Sequence, residues 1–124
     1  MWDANPKELQ QITEDVIGPR IIKYELRFRA MFGGILAYAY GRPFASLSNA
    51  GIAIKLIEQD KQALIDEHGG YPLRYEPSDP PSKSYVVIPM AMVEAKGEEL
   101  EAWLLKSIIY VKTLPLSKKK PKKL

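Results

Sequence analysis

The sequence contains no cysteine and a single histidine in 124 residues. Without cysteine there is no disulfide framework, no thiolate nucleophile and no thiolate-held metal. The one histidine, His68, lacks partners at ligand spacing. Asp66 and Glu67 beside it suggest a metal or acid–base site at first glance. Its place just before Gly69-Gly70 instead suits a cation at a helix C-terminus. Long apolar runs are missing too, and none approaches the roughly 18 residues that a spanning helix needs. The start, Trp2-Asp3-Ala4-Asn5-Pro6, is polar and shows no basic region leading into an apolar core, so no secretory signal is visible. The expectation is a cytoplasmic protein that does not engage a membrane.

Basic charge on the folded part is also scarce. The chain carries a formal +3, but Lys118, Lys119, Lys120, Lys122 and Lys123 all lie in the last seven residues. Without those five the remainder stands at −2. A fold that grips a phosphate backbone usually clusters Lys and Arg on its own surface. By this measure only the lysine-rich end is a candidate nucleic-acid contact.

What is present is ordinary globular material: 46% hydrophobic and 27% charged residues, enough for one domain with one core. Asn5 is a good N-cap, Pro6 suits the first helical position, and Leu9, Ile12 and Val16 recur at helical spacing until Gly18-Pro19. Tyr24, Leu26 and Phe28 alternate with Glu25, Arg27 and Arg29, which predicts a strand with one wet face. Ile35 to Tyr40 predicts a strand with apolar groups on both sides, which needs cover on both faces. Gly41-Arg42 reads as a turn, Phe44 to Ser48 as the returning strand, Asn49-Ala50-Gly51 as a three-residue loop, and Ile52 to Leu56 as the third strand of a meander.

Beyond Leu56 the period changes to that of a helix holding Leu64 and Ile65, ended by Gly69-Gly70. Tyr71, Leu73 and Tyr75 alternate as a short strand. Glu76 to Ser82 holds three prolines and reads as a loop. Tyr85 to Ile88 is a strand ended by Pro89. Leu100, Trp103, Leu104, Ser107, Ile108 and Val111 mark an amphipathic helix, with Glu98 and Glu99 in its first turn and Lys112 in its last.

Candidate chemistry is thin. Ser46, Ser48 and Ser84 have no base or nucleophile elbow around them. Glu98, Glu99 and Glu101 have helix-surface spacing rather than that of a converging pair. Gly33-Gly34 is followed by a strand, whereas a phosphate loop is followed by a helix. The pair reads as a bend or bulge with positive φ. Tyr24, Tyr38, Tyr40, Tyr71, Tyr75 and Tyr85 all fall on predicted strands, and a base-stacking platform is one reading of them. Such platforms interleave aromatic and basic residues. Apart from Arg42, Lys55 and Arg74 these strands offer little, so the tyrosines read as sheet surface and core edge.

Arg29-Ala30-Met31-Phe32-Gly33-Gly34 resembles the Arg-x-Met-Phe-Gly-Gly signature of the TfoX/Sxy N-terminal domain family. The similarity runs on through Gly41-Arg42-Pro43-Phe44-Ala45, Gly51-Ile52-Ala53-Ile54-Lys55-Leu56, Tyr75, Ser84-Tyr85-Val86-Val87-Ile88-Pro89 and the Leu100…Trp103 helix. The family is named after a bacterial regulator of natural competence that acts with a cyclic-AMP-responsive transcription factor. In that regulator a second, helical domain follows; here Pro115 and a run of lysines stand instead. The resemblance marks Arg29, Met31, Phe32, Gly33 and Gly34 as signature positions. It implies no catalytic residue, no cofactor and no metal.

The expectation is an α+β domain over 1–115, with one antiparallel sheet of about five to six strands and flanking helices in the order α-β-β-β-β-α-β-β-α. A lysine-rich tail, 116–124, is expected to be disordered. The leading functional expectation is a non-enzymatic regulatory or interaction protein that engages a protein partner, a homodimer being one form. The alternative is a nucleic-acid-associated protein anchored by its tail lysines. A weaker third is a small-molecule site or enzyme under the Glu76–Ser82 loop.

Overall fold

A computed structural model describes residues 5–31, 33–74 and 78–116. In chain order they form α1 (Pro6–Ile17), α2 (Arg20–Lys23), β1 (Arg27–Met31), β2 (Gly34–Ala39), β3 (Arg42–Ser48), β4 (Gly51–Lys55), α3 (Glu58–His68), β5 (Tyr71–Pro72), β6 (Tyr85–Val87), α4 (Met90–Ala95) and α5 (Glu98–Lys112). The strands make one open, wholly antiparallel six-stranded sheet, ordered β1-β2-β3-β4-β6-β5. This is the α+β class predicted from the sequence.

Local chemistry explains most boundaries. Asn5 caps α1 by accepting a hydrogen bond from the Lys7 amide at 2.9 Å, and Pro6 supplies a helical φ where no amide is needed. Gly18, at φ 66°, ends the helix. The strand predicted from Tyr24 begins only at Arg27. Pro19 starts the single turn α2 instead, and Glu25, at φ 54°, reverses the chain. Tyr24 and Leu26 still pack against the core, so they alternate like strand residues without lying in a strand.

The β2–β3 turn is Tyr40-Gly41, one residue earlier than predicted, because Ala39 pairs with Arg42. Both turn residues have positive φ, 55° and 78°, as a two-residue turn of the primed type requires. Tyr40 is held in this unfavourable region from both sides. Its amide donates to the Tyr24 carbonyl at 3.1 Å, and its ring meets the Tyr24 ring edge-on at 6.2 Å. Gly51 is the first residue of β4 rather than the third of a loop, since it pairs with Ser48.

Two short helices escape the sequence period. α2 has 4 residues and α4 has 6, too few for an apolar stripe to repeat. β5 is shorter than predicted: Leu73 lies outside it, and Tyr75 lies outside the described residues.

All the core-building helix residues lie on one side of the sheet. Ile35, Ala37, Ala39, Leu47, Ile52, Ile54 and Val86 meet Leu9, Ile17, Leu64, Val93, Leu100, Leu104 and Ile108 there in one buried cluster. The other side holds a small cluster of Ala53, Val87 and Leu73, with Ala50 and Tyr85 beside it. The expectation that β2 needs cover on both faces is therefore half met. Its Ile35–Ala37–Ala39 side is buried, and Leu36 and Tyr38 on the other remain half-exposed.

Candidate functional site on the helix-free face

A recess of about 730 Å³ opens on the helix-free face. Among the described residues it is lined by Met31, Gly33, Gly34, Ile35, Leu36, Ser46, Ser48, Asn49 and Tyr85. Its depth follows from residue size. Gly34 contributes no side chain, Ser46 and Ser48 are small and nearly buried, and Met31 and Tyr85 are large. That volume falls within the range of small-molecule and cofactor sites, about 300–1,000 Å³.

The glycine pair has two separate physical roles. Gly33 sits at φ 80° in the β1–β2 turn, where a side chain would meet nothing within 4 Å. Gly34 has no positive φ, contrary to the sequence expectation for both glycines. A Cβ there would come within 3.0 Å of the Leu47 carbonyl oxygen on the neighbouring strand. Gly33 is required by conformation and Gly34 by close approach. Arg29 and Met31 lie on β1 with their side chains on the recess side, while Phe28 packs with the opposite core. Phe32, the fifth signature residue, lies outside the described residues, as do Lys118, Lys119, Lys120, Lys122 and Lys123.

Strand register sets the electrostatics of this face. Arg27 pairs with Tyr38, and Arg29 with Leu36. Both arginines are exposed, and among the described residues neither makes an ion pair. Lys55 pairs with Tyr85, its Nζ 5.5 Å from the ring centroid. Burial holds the Lys55 pKa below its ordinary 10.5. Arg42, considered above among basic strand residues, faces away. It donates from Nε to the Leu114 carbonyl and from an Nη to the Tyr40 carbonyl, each at 2.7 Å.

The sequence reading missed Arg27 and Arg29 as partners of the aromatic surface. A signal for them was present. Between Glu25 and Glu58 the chain has no carboxylate, yet it holds Arg27, Arg29, Arg42 and Lys55. The slightly acidic fold therefore divides into a +4 sheet segment, and the remaining residues before the lysine-rich end carry −6.

The other sequence candidates do not converge. His68 is exposed at the end of α3, its ring edge-on to Trp103 at 5.4 Å. Ser84 is exposed, and Glu98 and Glu99 lie in the solvent-facing first turn of α5. Glu101 pairs with Arg20. Of the six tyrosines, Tyr24 and Tyr40 occupy turns against the helix-side core, and Tyr71 is exposed on β5. Tyr38 and Tyr85 belong to the helix-free face. The hollow beside the proline-rich loop, lined by Leu73, Arg74, Asp79, Pro80, Ser82 and Tyr85, measures about 210 Å³. That is below the usual range for a ligand site. Among the described residues no three His, Asp or Glu side chains gather where they could hold a metal ion, and no helix is long and apolar enough to cross a membrane.

The chain matches no family model, no curated protein and no solved structure.

Proposed function

We propose that the chain is a non-enzymatic regulatory or interaction protein, of the kind that its resemblance to the TfoX/Sxy N-terminal domain implies, and that it works through the helix-free face of its sheet. One observation carries this reading. The 730 Å³ recess is lined by Met31, Gly33 and Gly34, three of the positions on which the resemblance rests. Among the described residues the recess offers hydroxyls, an amide and apolar walls, with no acid–base pair or nucleophile–base pair directed into it. That composition suits binding more than bond-making.

The test compares two single substitutions for recovery of a crosslinked partner. Leu36→Glu places a charge on the floor of the recess. Ile109→Glu does the same on the rival apolar surface, where Ile109 is 61% exposed beside Ile57. The reading expects loss with the first and retention with the second; the reverse result sinks it. Sedimentation equilibrium at micromolar concentration tests a second copy as the partner, and a 14.0 kDa species throughout removes the homodimer.

A second reading, nucleic-acid association, gains from the charge segregation just described. The acid-free strands supply the interleaved cations that the sequence reading found wanting.

A further inference from the structure

We infer that the helix-free face binds single-stranded nucleic acid, with bases stacked on Tyr38 and Tyr85 and phosphates held by Arg27, Arg29 and Lys55. The inference rests on the reading that this face is the working surface, and it gives the occupant a chemistry.

Charge is the first argument. Three cations stand on the face, none of the six strands carries a carboxylate, and Arg27 and Arg29 make no ion pair among the described residues. A guanidinium left without a carboxylate is available to a phosphate oxygen. Burial disfavours the charged form of Lys55, and an arriving phosphate would favour it.

The second argument is the alternation of aromatic and basic groups. Register puts Arg27 across from Tyr38 and Lys55 across from Tyr85, so each ring has a cation as its direct neighbour. Rings with adjacent cations are the parts of a single-strand platform. β2 and β6 are three strand spacings apart, so the two rings stand on strands about 14 Å apart across the sheet. The recess adjoins Tyr85, which forms one wall with Met31 opposite, and its hydroxyls are those of Ser46 and Ser48. An unstacked base fits such a place, with apolar contact to its plane and hydroxyls at its edge. A duplex presents no free base to fill it, because its major groove admits a helix or a two-stranded ribbon rather than an open sheet face.

Third, like charge disfavours one rival. Two copies joined edge to edge along β1 would bring Arg27 and Arg29 of one near those of the other with no strand carboxylate between them. Exposed charge of this kind guards an edge strand against self-pairing.

Position adds a fourth. Arg42 ties the Leu114 carbonyl to the Tyr40-Gly41 turn, and Leu116 lies against Gly41. Leu116, the last described residue, thus lies at the end of the sheet that carries the Arg27–Tyr38 pair.

The test is fluorescence anisotropy of the full chain with labelled oligothymidine, oligouridine and a duplex of equal length, over a salt series. Circular dichroism melts confirm that each variant is folded. The single strands are expected to bind more tightly than the duplex. Tyr38→Ala should weaken single-strand binding by roughly 5- to 150-fold, the cost of one lost base stack. The double variant Arg27→Gln/Arg29→Gln should flatten the log–log salt slope by about 1.4, two cations at about 0.7 each. Replacing the five terminal lysines by Gln should flatten it by about 3.5 and leave the Tyr38→Ala effect in place. Equal affinity for the duplex overturns the inference. So does binding that ignores the Tyr38 and arginine variants and disappears only with the lysines. If no strand binds at low salt while Leu36→Glu still abolishes partner recovery, this inference falls and the working-face reading stands. If Leu36→Glu changes nothing either, both fall.

Discussion

The hydroxyl of Ser107, buried on α5, donates to the carbonyl oxygen of Phe44 at 3.1 Å, where β2 and β3 lose register. Ala37 faces Ala45 and Tyr38 faces Pro43, so Phe44 is the extra residue of a bulge. A bulged residue leaves the regular ladder, and a helix side chain serves its carbonyl instead. Ser107→Ala removes that donor inside the core. The expected loss is about 1–3 kcal/mol, read as a shift in the urea midpoint with an unchanged m-value.

Gly33 and Gly34 are expected to separate cleanly under substitution. Gly33→Asn keeps a residue that tolerates positive φ in open space and should cost under about 1 kcal/mol, whereas Gly33→Val should cost about 2 kcal/mol or more. Gly34→Ala should cost about 1–3 kcal/mol, because its methyl meets the Leu47 carbonyl and a backbone oxygen cannot swing away. Equilibrium unfolding of the three variants checks the order. If Gly34→Ala melts with the parent, the close approach has no energetic weight.

Much of this fold was legible because its punctuation is local. Asn5-Pro6 and Gly18 bracket α1, Gly69 ends α3, and the apolar stripe of α5 repeats over four turns. The misplaced pieces depend on contacts distant in sequence. Nothing near Tyr40 announces that Tyr24 will hold it at positive φ. Nothing near Phe44 announces Ser107, 63 positions away. The candidate site was half legible. The signature glycines and the acid-free stretch are visible in the chain, but only strand register shows that Arg27 and Tyr38 are neighbours.

Arg20 joins three elements. It donates to the Val16 and Ile17 carbonyls at the end of α1 and pairs with Glu101 on α5. Both side chains are about one-third exposed, so water weakens the pair. Glu101→Gln should cost no more than about 1 kcal/mol. Arg20→Met should cost more, about 1–2 kcal/mol, since two helix-end carbonyls also lose their donor. A double-mutant cycle separates the ion pair from the cap: additivity would show that the pair contributes nothing.

Lys55 makes a pH-dependent prediction. Its folded pKa lies below 10.5 because burial disfavours the charged form. In the window just under 10.5 the unfolded chain therefore binds more protons than the folded one, and stability gained from this group rises with pH through that window. Lys55→Met removes the titration. The variant should be at least as stable as the parent at pH 7, and its advantage should shrink as the pH climbs through the alkaline range. Melting curves at several pH values decide it; an advantage that grows with pH reverses the sign and the assignment.

The placement of α5 also governs what the chain meets while it is being made. The meander β1–β4 is complete at Lys55, yet the helix that covers β3 and β4 ends only at Lys112. Those fifty-seven residues take roughly 3–11 s to synthesise at about 5–20 residues per second. Throughout that interval Leu47, Ile52 and Ile54 lack the helix that buries them, while a hairpin closes within microseconds. The nascent chain thus exposes the future core on one side and Arg27, Arg29 and Lys55 on the other. During those seconds like charge on neighbouring nascent sheets opposes their pairing before their own last helix arrives.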